Sequence, residues 1–282
     1  MKNIFCLLIS VFLLSQNLAF AQTPDSTNTS SPQALPDSVQ IDPDDQNFPS
    51  TDSLPQLPRL FYNLGLDGNF SSGNLNRKLF GTRFTVNYEN PASIVGFFTS
   101  PKFQIGSTND QLQERELFAD LNSTLFYTQS DLYGLVFGSY EQSNLRKINY
   151  RWMTGIGLGF RILGGKKYPD TRISMNISNA FLHEVTDFYT SQDKNVWRNS
   201  TRFRVKAEIV KEKLFVQNTT FFQPSLGEAY LRWNSFSQIS YKLGKHVAFT
   251  LTFENTYESI NVEGVSNAQT NLTFGLNYSS SN

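Results

Sequence analysis

The chain of 282 residues carries 24 basic and 24 acidic side chains, a formal charge of zero, 14% aromatic residues and a mean hydropathy of −0.34. That balance leaves no basic excess of the kind nucleic acid requires, and the single cysteine, Cys6, excludes a disulfide framework. No apolar run after the N-terminal one approaches the roughly 20 residues of a spanning helix, which excludes a helical membrane protein.

The N-terminus reads as a secretory signal over residues 1–21. Lys2 precedes the apolar run "IFCLLISVFLL" from Ile4 to Leu14, and Ala19 and Ala21 form an A-x-A cleavage site before Gln22. Sec-type export is the expectation, and Cys6 lies inside the apolar run, too early to be a lipidated cysteine. Residues 22–58 are rich in Pro, Ser, Thr and Asp. Their charge consists of Asp25, Asp37, Asp42, Asp44, Asp45 and Asp52, so they are expected to form a disordered acidic periplasmic linker. Beyond Pro58, 23 basic residues stand against 18 acidic ones, a mild and scattered excess.

From Leu60 to Tyr278 the apolar pattern has period two. In "NVWRNSTRFRVKAEIVKE" (195–212), Trp197, Thr201, Phe203, Val205, Ala207 and Ile209 alternate with Arg198, Ser200, Arg202, Arg204, Lys206 and Glu208. The stretches 147–162, 246–259 and 269–278 repeat this alternation. About twelve strands can be placed, each long enough for a tilted bilayer crossing. Pro101 interrupts the one near residues 94–105, and "LFVQNTTFF" carries phenylalanines of both parities. With the N-terminus periplasmic, the predicted periplasmic turns are "ENPAS", "TQSD", "GGKKYPD", "KEK" and "LGK". The predicted external loops include "STNDQLQERE" (107–116), "LHEVTDFYTSQDKN" (182–195) and "INVEGVSNAQ" (260–269), with the tight "SSGN" near residues 71–74 as an exception to their length.

Which face of these strands is wet decides the class. In a soluble barrel the apolar face turns inward; in an outer-membrane barrel it meets lipid and the charged face lines the lumen. The large aromatics of the apolar face sort to two heights. Trp152, Trp197, Trp233 and Tyr257 fall toward the external strand ends, and Tyr88, Tyr127, Tyr241 and Tyr278 toward the periplasmic ends. Two such rings are the girdles of membrane interfaces. The expected fold is therefore all-β, a transmembrane antiparallel up-and-down barrel of about twelve strands over residues 59–279. It would be assembled by barrel-assembly machinery into the outer-membrane lipid of a Gram-negative-type envelope. A soluble periplasmic β-barrel binding protein is the alternative.

The run from "GLDGNFSSGNLNR" through "LQERELFADLN", "GSYEQSNLRKINYRWMTGIGLGFRI" and "FFQPSL" to "TNLTFGLNY" resembles the domain-of-unknown-function family of salt-stress-induced bacterial outer-membrane proteins. Its most specific parts are "YRW" followed by a G-x-G-x-G strand and the "QPS" after a two-aromatic strand. The resemblance implies an outer-membrane location, a barrel, and a link to salt or osmotic stress; it implies no particular activity.

By parity Arg151, Arg161, Arg172, Arg198, Arg202, Arg204, Lys206 and Arg232 point into the lumen, as do Asp67, Asp120, Glu208, Glu254 and Glu258. Two readings of these charges compete: an ion-paired plug that keeps the barrel closed, in which Arg202 and Arg204 each need an acidic partner, and a hydrated path with anion preference. Gly155, Gly157 and Gly159 relieve crowding inside the barrel. For an enzyme acting on lipid or peptide at the rim, the candidates are His183 beside Glu184 and Asp187, with Ser191 nearby. His246 falls at the opposite end, and neither histidine has a serine two residues on. No metal, cofactor or nucleic-acid partner is expected. The reading is a non-enzymatic, porin-like envelope protein, structural or narrow-pore.

Overall fold

The computed structural model describes residues 59–71, 77–90, 92–108, 111–164, 171–260, 262 and 265–279. The predicted signal peptide, the acidic linker and most of the turn "GGKKYPD" lie outside the described residues.

The alternation produces thirteen strand segments: β1 (Arg59–Ser71), β2 (Arg77–Glu89), β3 (Val95–Thr99), β4 (Lys102–Thr108), β5 (Gln111–Leu125), β6 (Leu132–Ser143), β7 (Ile148–Leu163), β8 (Ile173–Phe188), β9 (Lys194–Val210), β10 (Leu214–Leu226), β11 (Leu231–Lys242), β12 (Val247–Glu258) and β13 (Ala268–Ser279). All pair antiparallel with their neighbours, and β1 pairs with both β13 and β2, which closes the sheet. Closure leaves no edge of unpaired backbone, the condition for a sheet to sit in lipid.

Segments β3 and β4 are two halves of one crossing, since each pairs with β2 on one side and β5 on the other. The break falls at Ser100 and Pro101, where proline has no N–H to give the ladder. Asp120 of β5 repairs it: its Oδ1 accepts the Ser100 N–H at 2.6 Å, and its carbonyl accepts the Thr99 hydroxyl at 2.6 Å. Thirteen segments thus make twelve crossings.

The polarity of the wall is inverted relative to a soluble barrel. Ile156 is 66% exposed on the outside, whereas Arg151 and Arg198 inside are 0% exposed. Apolar side chains outside and charged ones inside identify a membrane barrel. Among the described residues no helix is long and apolar enough to cross a membrane.

Both β1 and β13 place the chain termini of the barrel at one end, the periplasmic one in the predicted orientation. At the other end the strands run on past the length lipid demands, β9 reaching 17 residues and β7 and β8 16. The expected external loops at 107–116 and 182–195 are therefore mostly strand, and their connections shrink to 109–110 and 189–193. The expected contrast of short periplasmic with long external connections is correspondingly weak. The connection at 259–267 does lie between strands as expected.

Inside, the glycines of β7 are seats for rings from β6. A Cβ at Gly155 would overlap the Phe137 ring, and one at Gly159 the Tyr133 ring. Phe137 also packs with Ala180 and Leu182 of β8 in a small apolar cluster.

Candidate functional site

The strand extension at the external end carries the most concentrated chemistry of the molecule. Because β8 continues to Phe188, its residues alternate: His183 turns outward and Glu184 inward, where Glu184 is fully buried. Three strands then aim guanidinium groups at that carboxylate. Arg198 of β9 donates from Nε to Oε2 at 2.8 Å, Arg232 of β11 lies 2.9 Å away through Nη2, and Arg151 of β7 lies 3.7 Å from Oε1. Thr186 adds a hydroxyl donated to Oε1 at 3.1 Å. A lone buried carboxylate would be costly, and its ionised form is held here by donors on several sides.

The guanidinium groups are held in turn. Arg198 donates to the Gln223 carbonyl at 3.0 Å and lies over the Tyr230 ring at 3.9 Å. Arg232 donates from Nε to Gln223 Oε1 at 2.8 Å, and Gln223 donates to Ser200 at 3.0 Å. Arg151 donates from Nη2 to Glu258 Oε1 at 2.8 Å and lies 3.5 Å from Glu141. Glu141 also meets Arg146, whose guanidinium reaches Glu116 at 3.7 Å. Tyr230, in the 227–230 connection, donates its hydroxyl to Glu258. Burial, with the Glu258 carboxylate beside it, pushes that phenol well above its ordinary value, so it stays a donor.

Several of these contacts cross the lumen. Arg151 is on β7 and Glu258 on β12, five steps apart in a ring of twelve, so their bond spans nearly the full interior. Lower down, Lys102 of β4 reaches Glu254 of β12 at 3.6 Å, and Arg83 of β2 lies over the Phe236 ring of β11 at 5.6 Å. Each joins strands four steps apart. Above the charged cluster, Val262 of the 259–267 connection packs with Ile148 and Phe188, flanked by Ile260 and Val265. An apolar lid thus lies over the ion-paired layer.

A family model described as Protein of unknown function, DUF481, matches residues 63–279. The chain belongs to that family. No curated protein matches the sequence. Among solved structures, the NanC porin is similar at 9% identity and a TM-score of 0.49, over 76% of this chain and 98% of that one. The COG4313 outer membrane channel from Pseudomonas putida F1 is similar at 8% identity and a TM-score of 0.47, over 85% and 99%. An anion-selective porin from Comamonas acidovorans is similar at 9% identity and a TM-score of 0.39, over 79% and 99%. These neighbours are outer-membrane barrels.

In this DUF481 barrel the lumen residues expected from parity are distributed as follows. Arg151, Arg198, Arg232 and Glu258 belong to the external cluster, and Glu254 to the Lys102 contact. Arg202 donates to Ser178 at 3.0 Å, and Arg204 and Lys206 continue the inward row below it, all three buried. Arg161 lies over the Tyr127 ring, and Asp120 serves the Pro101 break. Asp67 faces Gly81 in register and is half-buried. Two positions differ from expectation. Arg172 lies just before β8 begins and is exposed. Glu208 sits near the end of β9, where its carboxylate accepts the Glu212 N–H. Glu254 meets Lys102, and Glu258 meets Arg151 and Arg232. Glu184, Glu141 and Glu116 are lumen groups that the parity reading omits. It assigns Glu184 to a loop, although the alternation of Leu182, Glu184, Thr186 and Phe188 carries the signal of a strand.

Of the interface aromatics, Trp152, Trp197, Tyr241 and Tyr278 are exposed on the outer face, and Trp233, Tyr257 and Tyr88 are half-buried. Tyr127 departs from this set. Phe126 adopts a φ of 63°, which reverses the alternation after β5, so Phe126 takes the outward position and Tyr127 folds inside against Tyr133 with ring centroids 4.9 Å apart. His183 shares a hydrogen bond with Asn195 at 2.7 Å and lies tilted against the Trp197 ring on the outer face. His246 stacks on Tyr278 at the periplasmic end. Among the described residues no group of His, Cys, Asp and Glu could hold a metal ion.

Proposed function

We propose that the protein is a non-enzymatic outer-membrane barrel that rests closed, with a structural or narrow-pore role in the envelope that is linked to salt or osmotic stress. The observation that carries this reading is the bond of Arg151 to Glu258 across the interior, made within a layer that includes Glu184 and its three guanidinium groups. Interlocked pairs of this kind oppose ion passage by removing hydrated space and by fixing charge of both signs in the path. With those acids removed, the guanidinium groups of the layer would give an anion preference to any path that opens. The stress link rests on the family resemblance of the sequence. A hydrolase at the rim finds little support, because His183 faces outward, away from the buried acids, with Asn195 as its partner.

Planar-bilayer recording tests the reading. Purified full-length wild-type protein should pass no steady current. The double variant Glu184→Gln, Glu258→Gln, which keeps the arginines and removes the acids that lock them, should pass an anion-selective one. A steady current from the wild type, unchanged in the double variant, would overturn it.

A further inference from the structure

The outer wall carries a hollow that the lumen reading does not use. On the lipid-facing side of β5 to β9, Leu121, Gly138, Thr154, His183 and Trp197 stand side by side in register. Small residues occupy the middle of that row and large ones its ends. The result is a groove of about 580 Å³ floored by Gly138 and Thr154 and walled by Leu121, Ile156, Phe181 and Trp197. Those four wall residues are each more than half exposed, so the walls stand proud of the floor.

We infer that this groove binds one fatty acyl chain of an external-leaflet lipid, with a hydroxyl of the lipid's polar part donated to Nδ1 of His183. Three observations support this occupant. The groove lies in the face that the barrel presents to lipid, next to Trp152 and Trp197 of the external aromatic girdle, so it opens into the upper acyl region of the bilayer. Its walls are apolar and its volume is in the range of small-ligand sites. Its polar mouth is a single built device: the His183 ring lies tilted against Trp197 with centroids 4.7 Å apart and is fixed by Asn195 at 2.7 Å through Nε2. Asn195 Oδ1 only accepts, so Nε2 carries the ring proton and Nδ1 is left as an acceptor for a hydroxyl of the ligand. A hollow with apolar walls and one polar corner at girdle height matches the amphipathic junction of a lipid. Occupancy of the groove is independent of whether the lumen conducts.

The floor offers a clean test. A Cβ at Gly138 would meet only the Met153 carbonyl and Thr154 Cγ2, both at 3.9 Å, so a side chain can be built there without moving backbone. Native mass spectrometry of the full-length protein, stripped in detergent and titrated with dioleoyl phosphatidylglycerol, counts retained lipids. Wild type should retain one lipid that Gly138→Leu loses, an affinity drop of about tenfold or more, corresponding to about 1.4 kcal/mol. His183→Ala should weaken the same lipid by roughly 2- to 10-fold, the range of one lost hydrogen bond. Unchanged heat-modifiable migration shows that each variant is assembled; if Gly138→Leu fails to assemble, Thr154→Leu fills the same floor. Equal lipid retention in wild type and the filled variant would overturn the inference. So would a wild-type dimer that the filled variant abolishes, since that would make a second copy the occupant.

Discussion

At the external end of the lumen guanidinium groups meet carboxylates, whereas near the periplasmic end Arg161 meets rings and a carbonyl. Above, Glu184 gathers Arg198, Arg232 and Arg151 from three strands, and Glu258 ties Arg151 to the opposite wall. Below, Arg161 donates to the Tyr127 carbonyl at 2.6 Å and lies 3.8 Å over the Tyr127 ring, with Tyr133 further along. The two ends teach different lessons about a charged interior. A ring or carbonyl answers a cation without adding a second ion, so the arrangement is local and tolerant of loss. An ion pair joins distant strands but makes each partner indispensable to the other, because removing one strands a buried charge.

Glu184 is where the two ends should differ most. Replacing it by Gln keeps the shape and takes away the charge that several guanidinium groups share. Breaking a buried pair from one side costs about 3 to 5 kcal/mol, so Glu184→Gln should lower thermal unfolding in detergent markedly. A loss below about 1 kcal/mol, the value of a solvated surface pair, would mean that water reaches the cluster and that the external end is no more closed than the other.

Arg161→Gln probes the periplasmic end by the same measurement. It removes one charge-assisted hydrogen bond and one stacked cation but leaves no acid unpaired, so the expected loss is about 1 to 3 kcal/mol. The distinction between the ends holds if this variant unfolds above Glu184→Gln and vanishes if the order reverses.

The same physics governs how much of the barrel is legible in its sequence. Period two fixes which side chains share a face, so the inward Arg151, Arg198 and Arg232 can be read from the alternation alone. Their partners cannot, because contacts such as Arg151 with Glu258 depend on how twelve crossings close, and parity says nothing of that. Polar sequence at the strand ends also misleads. The stretch holding Glu184 resembles a loop when strands are expected to stop at the membrane, yet β8 continues and turns it inward. Tyr127 escapes the pattern through a single left-handed residue, Phe126, which reverses parity without any glycine to announce it. Pro101 is legible as an interruption, while its repair by Asp120 depends on the neighbouring strand.

The smallest effect on the barrel, and the most local, is expected at the lid. Val262 is 7% exposed and holds the 259–267 connection against Ile148 and Phe188. Those two residues begin β7 and end β8, so they remain anchored in the ladder whether or not the connection rests on them. Val262→Ser removes apolar contact and adds a hydroxyl at that seat, a change of about 1 to 2 kcal/mol that acts on the connection alone. Hydrogen exchange should therefore quicken at 259–267 while the amides of β7 and β8 keep their protection. Thermal unfolding of the barrel should move by less than in Arg161→Gln, since the ion-paired layer beneath stays locked. If exchange instead quickens through β7 and β8 together with the connection, the lid and the charged layer form one cooperative unit. The external end would then be held as much by its apolar cover as by its ion pairs.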